Sequence, residues 1–193
     1  MSRGPGEYPD AMWDTVFVHK DRTAELHASF LASLPAARAR LRKRLAGVSA
    51  VDLDGSVGSL TPFTRWYMEE IKRVKADPVE GLPAWWNPET PTAEDGDPDT
   101  YPFTRSQLAL IDEVQAYLAA VLESARPDAE WVTFKGGKVN IDNGRSMLKF
   151  GKKRFLSPKT VAYGVALRVD FSHQAIEPEA VEDLAREVIA DWR

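Results

Sequence analysis

The spacing of apolar residues changes at Trp131, and this change limits the possible folds more than any other feature of the chain. Before Trp131, apolar residues recur every three or four positions, the spacing of helices with one buried face. After it, short alternating segments are separated by Gly136-Gly137 and Asn143-Gly144, dipeptides typical of hairpin turns. Helices followed by an antiparallel meander and a further helix predict an α+β fold, formed as a single domain over residues 1–193.

Two proline positions organise the first predicted helices. The first helix begins near Thr23 and is interrupted by Pro35, which starts a new helix that ends before Gly47. The next helix has Thr61 as its N-cap and Pro62 at the first helical position. Each predicted helix has an apolar stripe, so we expect all of them to pack on a common core.

The following helix has the clearest start signal in the chain, because Thr104 and Gln107 form a capping box. On this helix the adjacent acids Asp112 and Glu113 point in different directions, which is typical of a solvated face. A basic group near the end of the first helical region is interpreted as favouring the helix dipole. Its members are Arg38, Arg40, Arg42, Lys43 and Arg44.

Short strands are predicted at Trp131 to Phe134, Lys138 to Ile141 and Ser146 to Phe150. Thr160 to Phe171 is the clearest strand candidate, since apolar residues alternate with small ones that leave room for a helix. Pro178 then opens a terminal helix. The predicted architecture is therefore N-terminal helices, an antiparallel β-meander and a C-terminal helix on the sheet.

Composition excludes several classes of site. The chain has no cysteine, so disulfides, thiolate zinc sites, iron–sulfur clusters and cysteine nucleophiles are ruled out. Residues 1–10 lack the basic start and apolar stretch of a signal peptide, and no long apolar run is present. We therefore expect a cytoplasmic protein with no membrane partner.

The candidates for acid-base chemistry are few. His19, His27 and His173 are the only histidines, and no two of them have metal-ligand spacing. Asp170 could orient His173 at the end of the last predicted strand, which leaves an enzyme of unfamiliar type as an alternative. No triad or nucleophile elbow accompanies them. The main expectation is a non-catalytic domain without a metal or cofactor.

Charge is strongly segregated, although the net charge is only -4. Residues 76–130 contain twelve acidic and two basic side chains. Residues 135–159 contain eight basic side chains and the single acid Asp142. Such separation marks possible binding surfaces of opposite sign.

The basic segment alternates cations with Phe134, Phe150 and Phe155, a combination that suits a phosphate backbone or an acidic protein surface. Its candidate binding residues are Lys135, Lys138, Arg145, Lys149, Lys152, Lys153 and Arg154. The alternative function predicted from it is a nucleic-acid or phosphate-binding module. An equally open interpretation is that this hairpin faces the acidic region of the same chain.

Residues 77–102 are predicted to form a long acidic loop rich in tryptophan and proline. Loops of this length are usually functional or disordered. Its candidate partner-binding residues are Trp85, Trp86, Glu94, Asp95, Asp97 and Asp99. Tryptophans ringed by carboxylates suit a basic partner surface, with charge guiding the encounter. The alternative is that the tryptophans cover the core while the acids are merely solvated.

A resemblance to a known class of proteins rests on two stretches within residues 51–150. They contain Leu53-Asp54, Ser59-Leu60, Trp66-Tyr67, Tyr117-Leu118, Val121-Leu122 and Trp131. Together they resemble small uncharacterised bacterial cytosolic domains, some of which sit among polymorphic-toxin immunity proteins. The resemblance carries no catalytic residues. It implies a protein partner, and the function predicted first is an immunity protein that neutralises a toxin by covering its active site.

Overall fold

The structure is a computed structural model that describes residues 23–48, 51–76, 81–137, 140 and 142–190. Its helices are α1 (Thr23–Leu45), α2 (Leu60–Arg73), α3 (Arg105–Ala125), α4 (Pro158–Ala166) and α5 (Ala180–Ala190). Its strands are β1 (Glu130–Thr133), β2 (Ser146–Phe150) and β3 (Arg154–Leu156). Short 3-10 turns, Val57–Ser59 and Val74–Ala76, flank α2, and a π-helical turn, Leu167–Phe171, continues α4. The predicted α+β class is confirmed.

Helix α1 continues through Pro35, so the predicted interruption is wrong. A proline inside a helix removes one backbone hydrogen bond and crowds the preceding turn. Pro35 lies on the exposed side of α1, whereas Leu34 and Ala37 are buried. Burial of that apolar side keeps the helix continuous across the proline. The predicted end is confirmed, because Gly47 follows the last turn with a φ of 91°.

Helix α2 begins earlier than predicted. The Ser56 hydroxyl accepts a hydrogen bond from the Ser59 N–H at 3.2 Å and caps the 3-10 turn that leads directly into α2. Thr61 is therefore already helical, and Pro62 lies within the first turn, where its missing N–H has no helical partner to lose. The predicted start was Thr61 as N-cap with Pro62 after it, whereas the helical structure begins at Ser56, five residues before Thr61.

Helix α3 is the centre of the fold. Its predicted capping box is confirmed: the Thr104 hydroxyl accepts from the Gln107 N–H at 3.3 Å, and the Gln107 side chain accepts from the Thr104 N–H at 3.0 Å. Every residue from Ser106 to Ala119 is buried, because α1, α2, α4 and α5 all contact this helix. Over this stretch α3 has no face exposed to solvent, unlike an amphipathic surface helix.

The three strands form an antiparallel meander, as predicted, in the order β1-β2-β3, although β3 was not among the predicted strands. Trp131 pairs with Leu148 and Leu148 with Leu156, so these three side chains share one face of the sheet. That face meets α1, where Trp131 contacts the Phe30 ring edge-on at 5.2 Å. The predicted strand Lys138 to Ile141 falls largely outside the described residues, and within it Asn140 is not in a strand.

Residues 160–171 form helix α4 and the π-helical turn, so the strand predicted there is wrong. The Ser157 hydroxyl accepts from the Thr160 N–H at 3.2 Å, and Pro158 occupies the first turn, which together start a helix. Ala162 and Ala166 recur at helical spacing on the buried side of α4. The alternation of large and small residues hid this second period.

Helix α5 packs mainly against α2 and α3, rather than on the sheet where the C-terminal helix was expected. It contacts the sheet region through an ion pair of 3.9 Å between Glu187 and Arg154 of β3. Apolar residues of all five helices and of β2 join one hydrophobic cluster around α3. Among the described helices, none is both long and apolar enough to cross a membrane.

Candidate binding surfaces

Trp86 is part of the core rather than of the loop surface. It is 5% exposed, and its indole N–H donates to the Thr90 carbonyl at 3.1 Å. Thr90 and Thr92 are buried with it. These buried side chains attach the described part of the acidic loop, residues 81–102, to the core. Trp86 cannot serve as the exposed contact predicted from the sequence.

Trp85 joins the loop to two helices. Its ring lies edge-on to Trp86 at 5.9 Å, and its indole N–H donates to the Asp112 carboxylate of α3 at 2.9 Å. The Lys159 ammonium of α4 lies 5.3 Å from the centre of the Trp85 ring, a cation–π contact. Trp85 is half-buried by these contacts and acts mainly as a structural anchor.

The carboxylates of Glu94 and Asp95 hold the loop against the start of α3. Glu94 accepts from the Arg105 backbone N–H at 2.9 Å, at the helix end where negative charge is favourable. Asp95 accepts from the Arg105 guanidinium at 2.7 Å and from the Thr92 hydroxyl at 2.9 Å. The Arg105 hydrogen bond is the main reason that the pKa of Asp95 is lowered. Both carboxylates remain exposed.

Asp97 closes a turn at the tip of the same loop. Its carboxylate accepts from the Asp99 N–H and from the Thr100 hydroxyl, both at 3.1 Å. Asp99 takes part in this turn through its backbone, and its side chain is exposed. The structure therefore brings Glu94, Asp95, Asp97 and Asp99 together on one ordered loop as exposed charges, without the tryptophan rings between them.

Some cations of the predicted basic surface form ion pairs, and others are exposed to solvent. Arg145 is largely buried and forms an ion pair of 2.7 Å with Asp142. Lys149 lies 3.8 Å from Glu130, and Arg154 pairs with α5. Lys138 lies outside the described residues. The cations that are exposed in the structure are Lys135, Lys152 and Lys153.

The outer face of the sheet, which points away from α1, carries a second apolar group. Glu130, Lys149 and Phe155 are paired across the strands and therefore share this face, and Val132 and Met147 are paired two positions along. Phe134, which follows β1, contacts the Phe155 ring edge-on at 5.0 Å. Phe155 is 39% exposed although it is large and apolar.

A buried charge network between α1 and α3 was missed by sequence reasoning. Asp112 and Glu113 are each 2% exposed, which corrects the prediction of a solvated acidic face. The Arg40 guanidinium donates to Asp112 at 2.7 Å, and Arg44 donates to Glu113 at 2.8 Å and 3.3 Å. The α1 arginines predicted to favour the helix dipole were the available signal, because buried carboxylates require such partners.

Arg44 also extends the network to α2. Its guanidinium lies 3.7 Å from the buried Glu70 carboxylate, which is in turn paired with Arg73. Because every acid in this network has a cationic partner, the arrangement holds three helices together. We interpret it as structural.

The residues proposed for catalysis are not brought together as expected. The buried Asp170 carboxylate accepts from the Gln107 side chain at 2.8 Å and pairs with Lys75 at 3.1 Å. His173 is exposed with a φ of 50°. His27, the other described histidine, lies 2.8 Å from the Ser146 hydroxyl and fastens α1 to β2, and burial lowers its pKa. His19 lies outside the described residues.

In the part of the chain that the structure describes, no three His, Asp or Glu side chains form a group that could hold a metal ion. Comparison with protein-family models, with curated proteins and with solved structures gives no match.

Proposed function

We propose that the chain is a non-catalytic protein-binding domain, most specifically an immunity protein that occludes the active site of a toxin. The observation that carries this proposal is a set of exposed carboxylates on an ordered loop: Glu94, Asp95, Asp97 and Asp99. Charges that are already fixed in place favour binding, because less conformational entropy is lost when the partner arrives.

The tryptophans support this surface from beneath instead of contacting the partner. Trp86 is buried and Trp85 is bonded to α3, so the acidic loop has two anchors in the core. The proposed contact is mainly electrostatic. A toxin that acts on nucleic acid needs a basic active site, and an acidic surface accelerates and orients encounter with such a site.

The test begins with capture of the protein from its native cells and identification of bound proteins by mass spectrometry. The affinity for the isolated partner is then measured by calorimetry for the parent protein and for Asp99→Lys. This change reverses a charge while the loop hydrogen bonds described above, which use the Asp99 backbone, are preserved. We expect binding to weaken by about tenfold or more, because an attraction becomes a repulsion.

Glu69→Lys is the matched control, since Glu69 is an exposed acid on α2. The proposal predicts that this variant binds the partner as the parent protein does and protects cells from it equally well. Equal loss in both variants would indicate a net-charge effect, and equal binding by both would remove the loop from the interface. Recovery of no protein partner would contradict the function itself.

A further inference from the structure

The apolar residues on the outer face of the sheet lie apart from the main core; Met147 among them is buried at 6% exposure, whereas Phe155 is exposed. Val132, Phe134, Met147 and Phe155 belong to neither of the hydrophobic clusters that surround α3, although the opposite face of the same strands does. Sheets that pack on one side only usually expose polar residues on the other side. An aromatic pair on the solvent side therefore calls for an explanation other than folding.

The rings of Phe134 and Phe155 make this face suitable for flat ligands. They meet edge-on at 5.0 Å with an interplanar angle of 82°, so one ring can present its face to solvent while the other supports it. Phe155 retains 39% of its exposure. Exposed aromatic side chains on a sheet are stacking platforms for unpaired bases.

Exposed lysines lie next to the two phenylalanines in the chain. Lys152 and Lys153 lie in the turn between β2 and β3, immediately before β3 and Phe155, and both are exposed. Lys135 follows Phe134 and is also exposed. The acid that shares this face, Glu130, lies opposite Lys149 at 3.8 Å and is offset by it. Exposed cations that adjoin the aromatic pair in the chain therefore outnumber the single acid that the strand register places on this face.

We propose that this outer face binds single-stranded nucleic acid, with bases stacked on Phe155 and Phe134 and phosphates paired with Lys135, Lys152 and Lys153. The charge complementarity identifies a polyanion, and the exposed ring distinguishes a strand with unstacked bases from a duplex. This site is separate from the acidic loop and goes beyond the protein-binding function proposed above.

The test uses the full chain and fluorescently labelled single-stranded oligonucleotides of about 12 nucleotides, a length within the usual site size for such surfaces. Anisotropy should report binding that weakens steeply with added salt. Phe155→Ala should reduce affinity by about 5- to 100-fold, the effect of losing one stacked base. Phe155→Trp should retain or increase affinity, and Phe155→Leu, which keeps an apolar side chain without a ring, should behave as the alanine variant does.

The charge term is tested by Lys152→Glu combined with Lys153→Glu, which should abolish measurable binding. The matched control reverses two exposed lysines elsewhere, Lys43 on α1 and Lys72 on α2, and should leave binding within about twofold of the parent, since only long-range charge changes. Thermal melts of every variant establish that each remains folded.

Three results would overturn this proposal: no salt-dependent binding of any oligonucleotide, equal affinity in the Phe155→Ala protein, or equal affinity for duplex DNA or an acidic polypeptide. The last result would identify the face as a general polyanion or protein surface. Asp99→Lys should not weaken oligonucleotide binding, so failure of the acidic-loop proposal and failure of this one give different results.

Discussion

Asp112 is a buried carboxylate that three side chains donate to. Its carboxylate accepts from Arg40, from the Trp85 indole and from Gln115 at 2.7 Å. We expect Asp112→Ala to reduce the free energy of unfolding by about 2–4 kcal/mol, because buried donors lose their acceptor. Urea denaturation measures this loss. The exposed-site change Glu69→Ala is the control, and a loss in Asp112→Ala no larger than in that control would show the network to be dispensable.

The same carboxylate gives a dependence of stability on pH. Burial is the main cause that raises the pKa of Asp112 above its ordinary 3.8. The folded state then holds the proton more tightly than the unfolded state, so this group lowers stability as pH rises from 3.8 through the raised value. Denaturation at a series of pH values should show that fall. Asp112→Asn should remove that component of the pH profile, and an unchanged profile would contradict the assignment.

Lys159 titrates in the opposite sense. Burial of its charged end, helped by the nearby Arg145 charge and opposed by Asp142, lowers the pKa of Lys159 to about 7. Between about 7 and the ordinary 10.5, the unfolded chain holds a proton that the folded protein has released, so stability rises with pH across that interval. Lys159→Met should flatten the rise. Reductive methylation followed by NMR over the same interval measures the pKa directly, and a value near 10.5 would refute the prediction.

Residues such as Asp112 could not be placed from sequence alone. The acids on α3 and the arginines on α1 are each visible in the sequence, but a pair of adjacent acids is equally compatible with a solvated face. Their pairing depends on α1 crossing α3, which is a tertiary fact. Trp86 was ambiguous for the same reason, since neither its neighbours nor its spacing reveal that Thr90 accepts its indole N–H.

Among the elements, α1 is destabilised by Pro35, a proline inside the helix. The residue is exposed and interrupts the hydrogen bonds of a continuous helix. We expect Pro35→Ala to raise the free energy of unfolding by about 1–2 kcal/mol, the helical gain reduced by the greater freedom of the unfolded chain. Ala36→Gly, which weakens the helix at the next exposed position, should lower it. A lower free energy of unfolding for Pro35→Ala, measured in urea, would contradict this prediction and would mean that the fold requires the helix geometry that Pro35 imposes.

Gln107, at the start of α3, both completes the capping box and forms hydrogen bonds in the core. Thr104→Ala should cost about 1 kcal/mol, the usual value of an N-cap. Gln107→Ala should cost more, because the same side chain also donates to the Ile71 carbonyl and to Asp170, both at 2.8 Å. Thermal or urea unfolding of the two variants gives the comparison. An equal cost would show that those two buried hydrogen bonds are energetically neutral.

The start of α3 was predicted correctly from its local signal, whereas the starts of α2 and α4 were not. The Thr104 and Gln107 capping box predicted the start of α3 correctly, whereas Gly136-Gly137 and Asn143-Gly144, predicted as two separate turns, both lie in the connection between β1 and β2. Residues 160–171 failed because alternation and helical spacing coexist there, and Ser157 with Pro158 decides between them. A cap just before an apolar run was the overlooked signal.

At the scale of the whole molecule, the enclosed helix α3 should be the most stable part. Its residues from Ser106 to Ala119 are buried, so their amides exchange only when the molecule unfolds globally. Hydrogen exchange followed by NMR should show the slowest rates there, and β3, an edge strand of three residues, should exchange faster. Comparable rates in α3 and β3 would contradict the predicted difference in stability between them.

The charge of the two candidate surfaces could be predicted from the sequence, but the side chains that each surface exposes could not. The sequence shows an acidic loop and a basic segment, yet only the strand register places Phe155 beside Lys149 on the outer face. The structure buries most of Arg145 beside Asp142 and leaves Lys152 and Lys153 exposed, a difference that their charge alone does not predict. Binding surfaces depend on which side chains the core removes, and that selection requires the assembled fold.

The packing of α3 also determines when the protein can fold during its synthesis. Helices α1 and α2 precede α3 in the chain, whereas α4 and α5, which cover its other sides, follow it. On the ribosome, α3 therefore emerges with part of its apolar surface uncovered until α5 has left the exit tunnel. While that surface is uncovered the nascent chain is exposed to aggregation, so the core is completed only after α4 and α5 have been synthesised.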